Sequence, residues 1–245
     1  MLSKSQQSLI KSLQLKKFRK AHGLFIAEGF KCITEFQKAN YVLEKVFYVP
    51  DKASKMDIFS DNEKSQIISS EELKKISALK QPQGALALFK VPSDQNLKPA
   101  DLKGKFSLVL DEIQDPGNLG TILRTADWFG ISQVICALHT ADIYNPKVVQ
   151  ASMGSIAHLQ ITYQDLPQWL PTIPLPKWGM LLEGESIHTA KFGKEGLFIL
   201  GNEGQGIRPE VQAKLDRQLT IPRVGQAESL NVGIAAGILC AYIRS

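Results

Sequence analysis

The chain has 245 residues, 44% of them hydrophobic, enough to bury a sizeable core and to form two domains. No apolar run approaches the roughly 20 residues that span a bilayer, and the opening MLSKSQQSLIKSLQLKKFRK lacks a secretory apolar core and cleavage site, so a soluble, cytoplasmic protein is expected. The formal net charge of +5 is uneven: residues 1–95 carry 16 Lys/Arg against 10 Asp/Glu, a balance of +6, and residues 96–245 carry 13 against 14, a balance of −1. Cys32, Cys136 and Cys240 lie far apart in apolar settings, and His22, His139, His158 and His188 show no ligand pairing. A disulfide framework and a metal enzyme are excluded as expectations, and the thiols read as core residues.

In chain order, residues 5–20 carry helical spacing with Leu9, Ile10 and Leu13 on the core side, and Gly23 ends the helix. This segment also holds the basic side chains Lys16, Lys17, Arg19 and Lys20, within a first 27 residues that contain no acidic one. They read either as a face for a polyanion or as a solvated helix face. LFIAEG begins a strand, 29–39 returns to helical spacing, and KVFYVP and SQIIS are short strands. SSEELKKISAL opens with a capping box, Ser69 with Glu72 three residues on, and GALALFKV closes an α/β unit of about ninety residues. Residues 92–105, with two prolines and a glycine, form a linker between a domain at 1–91 and a second at 106–245. Beyond it, FSLVLDEI, QVICAL, GMLLEG, GLFILG and QLTIP are near-continuous apolar strands, as in a parallel sheet covered on both faces. Helices are expected near 118–129, 145–152, 208–216 and 229–243.

Three segments stand out as candidates for chemistry. In LDEIQDPGNLGTILRTADWFG (110–130), Asp115-Pro116-Gly117 makes a turn and Asn118 starts or caps a helix that Gly130 ends. Leu119, Ile122, Leu123, Ala126 and Phe129 form its buried stripe, and Arg124 projects to the opposite side beside Thr121 and Trp128. Arg124 is either a functional cation or a surface partner of Asp127 at i+3. GNEGQG (201–206) has its glycines in the reverse order of a dinucleotide fingerprint, and no acidic residue follows about 20 positions later; a phosphate-cradling G-x-x-x-x-G-K-[ST] is also missing. Glu203 is either turn decoration or a carboxylate aimed into a pocket. In IPRVGQAESLNVGIAAGILCAYI (221–243), Ser229 and Asn231 sit where a tight turn feeds a helix whose Gly233, Ala235, Ala236 and Gly237 permit close backbone approach.

Together, in order and spacing, these segments resemble the SpoU (TrmH-type) branch of the SPOUT superfamily, the S-adenosylmethionine (AdoMet)-dependent RNA ribose 2′-O-methyltransferases. The resemblance covers about 106–245. The stretches SLIKSLQLKKFRKAHGLFIAEG and QPQGALALF are similar to the smaller α/β substrate-binding domain attached to many family members. The resemblance implies an α/β fold with a parallel-sheet trefoil knot, a homodimer formed through the C-terminal domain, and AdoMet as cofactor. It implies cofactor contacts from Leu200, Gly201, Asn202, Gly206, Ile221, Pro222, Ser229, Leu230 and Asn231, largely through main-chain groups. Catalysis would fall to Arg124, supported by Asn118, Glu203, Ser229 and Asn231, with Lys16, Lys17, Arg19, Lys20 and Arg124 meeting RNA. Ribosomal RNA is the first expectation for the substrate and transfer RNA the second, and a non-catalytic RNA-binding assembly factor is the rival from another class.

Overall fold

A computed structural model describes residues 1–50, 63–93 and 97–244. The chain divides into two compact units, Met1–Ser93 with Asp142–Ala157, and Asp94–Ala141 with His158–Ser245.

The first unit is a four-stranded sheet in the order β1 (Leu24–Glu28), β4 (Ala85–Lys90), β2 (Leu43–Tyr48), β3 (Ser65–Ile67), antiparallel except for the β2–β3 pair. Alternation along β1 sends neighbouring side chains to opposite faces. Leu24 and Ile26 join a core with Ile10, Leu13, Phe47, Leu73 and Leu86. Phe25 joins Phe36, Tyr41, Phe89 and Tyr144, with ring centroids 4.6–6.0 Å from its own. Helix α3 (Phe30–Lys38) follows β1, and α4 (Ser70–Ile76) begins with the expected Ser69–Glu72 capping box.

The expected single helix over 5–20 is instead two, α1 (Lys4–Ser12) and α2 (Lys16–His22), because Leu15 is extended at φ −100° and ψ 132°. The break frees carbonyls at Leu13 and Gln14, and the guanidinium of Arg19 donates to both at 2.9 Å. Arg19 also meets the Asp142 carboxylate through Nε at 3.0 Å and Nη2 at 2.5 Å. Only 3% exposed, Arg19 therefore closes a structural break and is not presented to a phosphate backbone, which corrects its assignment to the RNA-facing set. Lys16, Lys17 and Lys20 are exposed.

Residues 142–157 lie inside the 106–245 segment by sequence, yet compactness groups them with the first unit. They bring α6 (Pro146–Ser152) against β1, Tyr144 onto Phe25, and the Cys32 thiol to the Val149 carbonyl at 3.9 Å. The expected linker also carries structure: Pro99–Leu102 forms a 3-10 turn with Leu102 fully buried, whereas 94–96 lie outside the described residues.

The second unit is a six-stranded, wholly parallel sheet in the order β10 (Arg217–Thr220), β8 (Lys177–Ser186), β9 (Gly196–Gly201), β5 (Phe106–Asp111), β6 (Gln133–Ala137), β7 (Gln160–Gln164). β5, β6 and β9 are almost entirely buried, as their unbroken apolar runs require. Strand β7 was not anticipated: this edge strand is only half-buried and polar at both ends. Two short helices, α7 (Leu166–Trp169) and α8 (Pro209–Gln212), complete the connections, and α8 covers only the start of the expected 208–216 helix. Helices α5 (Pro116–Trp128) and α9 (Val232–Arg244) pack on each other. A Cβ at Gly233 would stand 3.1 Å from Asn231 Oδ1 and 3.2 Å from Thr121 Cγ2, so the close α5–α9 approach does call for a small residue there. The chain leaves β5 toward β6 on one side, whereas β9 pairs on the other. The carboxyl ends of β5 and β9 therefore flank a switch point, where open α/β sheets form their ligand crevice.

Candidate active site

Two loops leave that switch point: 112–115 after β5 and 202–208 after β9. Asp111, at the end of β5, is fully buried and accepts from the backbone N–H of Arg208 at 2.8 Å and from its Nε at 2.9 Å. The same guanidinium reaches Glu112 at 3.2 Å and Glu210 at 3.4 Å. Burial works against the Arg208 charge, but the Asp111 hydrogen bond and the surrounding carboxylates hold its pKa above the usual arginine value. Glu112 sits at φ 57°, a conformation rare for a residue with a side chain, and its carbonyl accepts from Asn202 Nδ2 at 2.9 Å. Asp111, Glu112 and Arg208 were missed by sequence reasoning. The one available hint was the polar end of an otherwise apolar strand.

Within the second loop, Asn202 and Gly206 exchange backbone hydrogen bonds at 2.9 Å, and Asn202 Oδ1 accepts from the N–H groups of Gly204 and Gln205. A Cβ on Gly201 would collide with the main chain of Gly206 and Ile207. The space that Gly201 leaves is thus filled by its own loop, so a cofactor contact at this residue would come through its main chain. The loop needs the glycine in order to close.

Helix α5 is capped by Asp115, whose carboxylate accepts from the N–H of Asn118 at 2.8 Å. Of the two readings, start or cap, the structure puts Asn118 in the first turn and not at the cap, which frees its side chain for other work. Asn118 Nδ2 donates to Glu203 Oε1 at 2.8 Å, and Asn118 Oδ1 accepts from Asn231 Nδ2 at 2.9 Å. Asn231 Oδ1 in turn accepts from the N–H groups of Gly233 at 2.9 Å and Ile234 at 3.3 Å, which caps α9. One hydrogen-bonded chain therefore joins all three sequence motifs. Ser229 is exposed, and its hydroxyl makes no hydrogen bond among the described residues.

Arg124 lies on the outer face of α5, exposed, in line with Thr121 and Trp128. Its alternative partner is taken: Asp127 binds His158 Nδ1 at 3.0 Å. Among the described residues Arg124 has no ion pair or hydrogen bond, so its charge is available. Segment 221–230 follows β10 without regular structure, and none of its backbone N–H groups donates a hydrogen bond among the described residues. Two of its carbonyls accept from side chains, Ala227 from Arg223 Nη1 at 3.2 Å and Ile221 from Thr220 Oγ1 at 3.5 Å, and its N–H groups are left for a ligand to bind. Leu200 is buried, so any ligand contact it makes must come through its backbone, whereas Leu230 is 49% exposed and Pro222 exposed. No trio of His, Cys, Asp or Glu gathers into a metal site among the described residues.

The model of the SpoU rRNA methylase family matches residues 105–241. The chain belongs to the SpoU rRNA methylase family. Residues 8–87 match an MRM3-like substrate binding domain, the arrangement of SpoU family members with an N-terminal substrate-binding domain. A relative of this family from Bacillus subtilis, named 23S rRNA (guanosine(2553)-2'-O)-methyltransferase RlmP, is 29% identical over 96% of this chain and 94% of its own length. A putative RNA methyltransferase of the TrmH family from Porphyromonas gingivalis is 36% identical, with a TM-score of 0.86 over 99% of this chain and 98% of that one. An AdoMet-bound rRNA methyltransferase from Sinorhizobium meliloti is 26% identical, with a TM-score of 0.86 over 100% of this chain and 96% of that one. AdoMet is the cofactor of this SpoU fold.

Proposed function

We propose that the protein transfers a methyl group from AdoMet to a ribose 2′-hydroxyl of ribosomal RNA. The observation that carries this reading is the Glu203–Asn118–Asn231 chain built on the helix that also bears Arg124, which has no ion pair or hydrogen bond among the described residues. It ties the two late loops to the helix that bears the cation. Ribosomal RNA is favoured over transfer RNA because the RlmP-type resemblance runs through both domains, over 96% of the chain. Such a substrate is met in the cytoplasm, and no described helix is long and apolar enough to cross a membrane.

The backbone N–H groups of 221–230, which have no partner among the described residues, would hold the adenosine together with Leu200, Gly201, Asn202 and Gly206. AdoMet supplies a methyl already activated on a sulfonium, so the protein's tasks are alignment and charge management. Arg124 would grip the RNA phosphate and stabilise the developing alkoxide. Acting as the base itself would be costly for a guanidinium with an intrinsic pKa above about 12, so the hydroxyl proton passes to phosphate or water. Asn118 and Asn231 hold the two loops in register, Glu203 orders the second loop, and Ser229 is left to meet cofactor. Lys16, Lys17 and Lys20 supply cationic contacts for RNA.

The knotted path and the homodimer of the family belong to the same reading. In support of the dimer, Ile234 on α9 is 55% exposed, and a Cβ on Gly237 would meet nothing within 4 Å. Its smallness is therefore not demanded within the chain. Light scattering on the full chain should give a mass of two copies, and one copy would overturn the dimer. For the reaction, calorimetric titration with AdoMet and transfer of labelled methyl to ribosomal RNA from cells lacking the protein form the test. Absence of both would sink the proposal, and labelling of transfer RNA alone would reassign the substrate.

A further inference from the structure

A cavity of about 270 Å³ opens in the first unit, lined by Gln14, Ile26, Glu28, Leu79, Lys147 and Gln150, among others. This is just under the about 300 Å³ at which sites for larger organic ligands begin, a size suited to one planar ring system. Ile26 and Leu79 give it apolar walls. Glu28, only 6% exposed, gives it a carboxylate. The Ser77 hydroxyl donates to one Glu28 oxygen and the Ala78 N–H to the other at 2.9 Å, and each oxygen keeps a further lone pair. The side-chain amides of Gln14 and Gln150 make no hydrogen bond among the described residues, and Lys147 adds an exposed ammonium.

The site thus combines apolar faces, a paired acceptor fixed by its own hydrogen bonds, and donors that have no partner among the described residues. Among nucleobases, guanine fits this pattern. Its N1–H and exocyclic amine form two adjacent donors for an acceptor-only carboxylate, and its O6 and N7 accept from amide or ammonium groups. Adenine and cytosine would turn a ring-nitrogen acceptor toward the carboxylate, and uracil would offer a single N3–H donor flanked by two carbonyls. Proteins that read RNA by sequence take unstacked bases in this way, between apolar surfaces and edge-reading polar groups. We propose that this cavity receives a single unstacked guanine of the RNA substrate, with Glu28 reading its Watson–Crick edge. The proposal rests on the RNA-methyltransferase reading above and adds to it a base-specific contact outside the methyl-transfer site.

The test uses the full chain saturated with AdoMet, so that no nucleotide can enter the adenosine cradle. Guanosine, inosine and adenosine 5′-monophosphates are titrated against it by NMR. Inosine monophosphate lacks only the exocyclic amine, so guanosine monophosphate should bind at least about tenfold tighter, the value of one charge-assisted hydrogen bond. Glu28→Gln should erase that preference. Should Glu28→Gln fail to fold, Ala151→Leu fills the cavity from α6 and should abolish guanosine monophosphate binding with AdoMet affinity unchanged. Equal binding of the three nucleotides, or unaltered guanosine monophosphate binding by Ala151→Leu, would overturn the assignment. The AdoMet titration on the same samples reports separately on the methyltransferase reading.

Discussion

Asn118 can satisfy both of its neighbours in one orientation only. Glu203 can only accept, so the Asn118 amide nitrogen must face it, and the oxygen must then face Asn231. Asn118→Asp would set two carboxylates against each other. AdoMet affinity should fall at neutral pH and recover in part on acidification, as one carboxyl takes a proton; a flat pH profile would count against the chain of bonds. Arg124→Ala leaves this chain intact. Methyl transfer should drop about 10²–10³-fold with the AdoMet dissociation constant unchanged, and wild-type turnover would refute the role. The three cysteines are inert by contrast: burial pushes each thiol up to about 12, so almost no thiolate forms at neutral pH. Iodoacetamide should label none of them in the folded chain and all three in denaturant, as read by mass spectrometry.

At the scale of elements, the loop after β9 is held from outside and from within. The Asp111–Arg208 pair and the Asn202–Glu112 bond anchor it to β5, and Gly201 lets it close on Gly206 and Ile207. Gly201→Ala should therefore displace main chain rather than a flexible side chain. We expect AdoMet affinity and melting temperature to fall together; a loss of affinity alone would mean that the methyl group meets ligand and not loop. Much of this element level was legible beforehand. Apolar runs announced five of the six parallel strands, and Gly23, Ser69 and Glu72 marked helix ends by local chemistry. The break at Leu13–Leu15 was not legible, because helical spacing continues through it. Only the buried guanidinium of Arg19, with a partner more than a hundred residues away, accounts for the carbonyls it exposes.

At the scale of the molecule, the first unit is completed by residues 142–157. A fragment ending at residue 93 would lose Tyr144 from the aromatic cluster and leave the Arg19 charge buried without Asp142. Breaking such a pair costs about 3–5 kcal/mol, so the isolated fragment should melt early or fail to fold, as followed by circular dichroism. A fragment as stable as this unit in the full chain would show that 142–157 contribute nothing. Asp142→Asn in the full chain is the milder version and should lower the melting temperature.

Sequence alone determined the class of strand and helix at most positions, the family, and which residue types the site contains, because periodicity, turn chemistry and motif order are local properties of the chain. It left open whether Asn118 capped, whether Arg124 was paired, and whether Glu203 was ornament. Tertiary structure decided those three points, since each depends on which side chains from distant segments come within hydrogen-bond reach. Spacing along a chain carries no record of that distance.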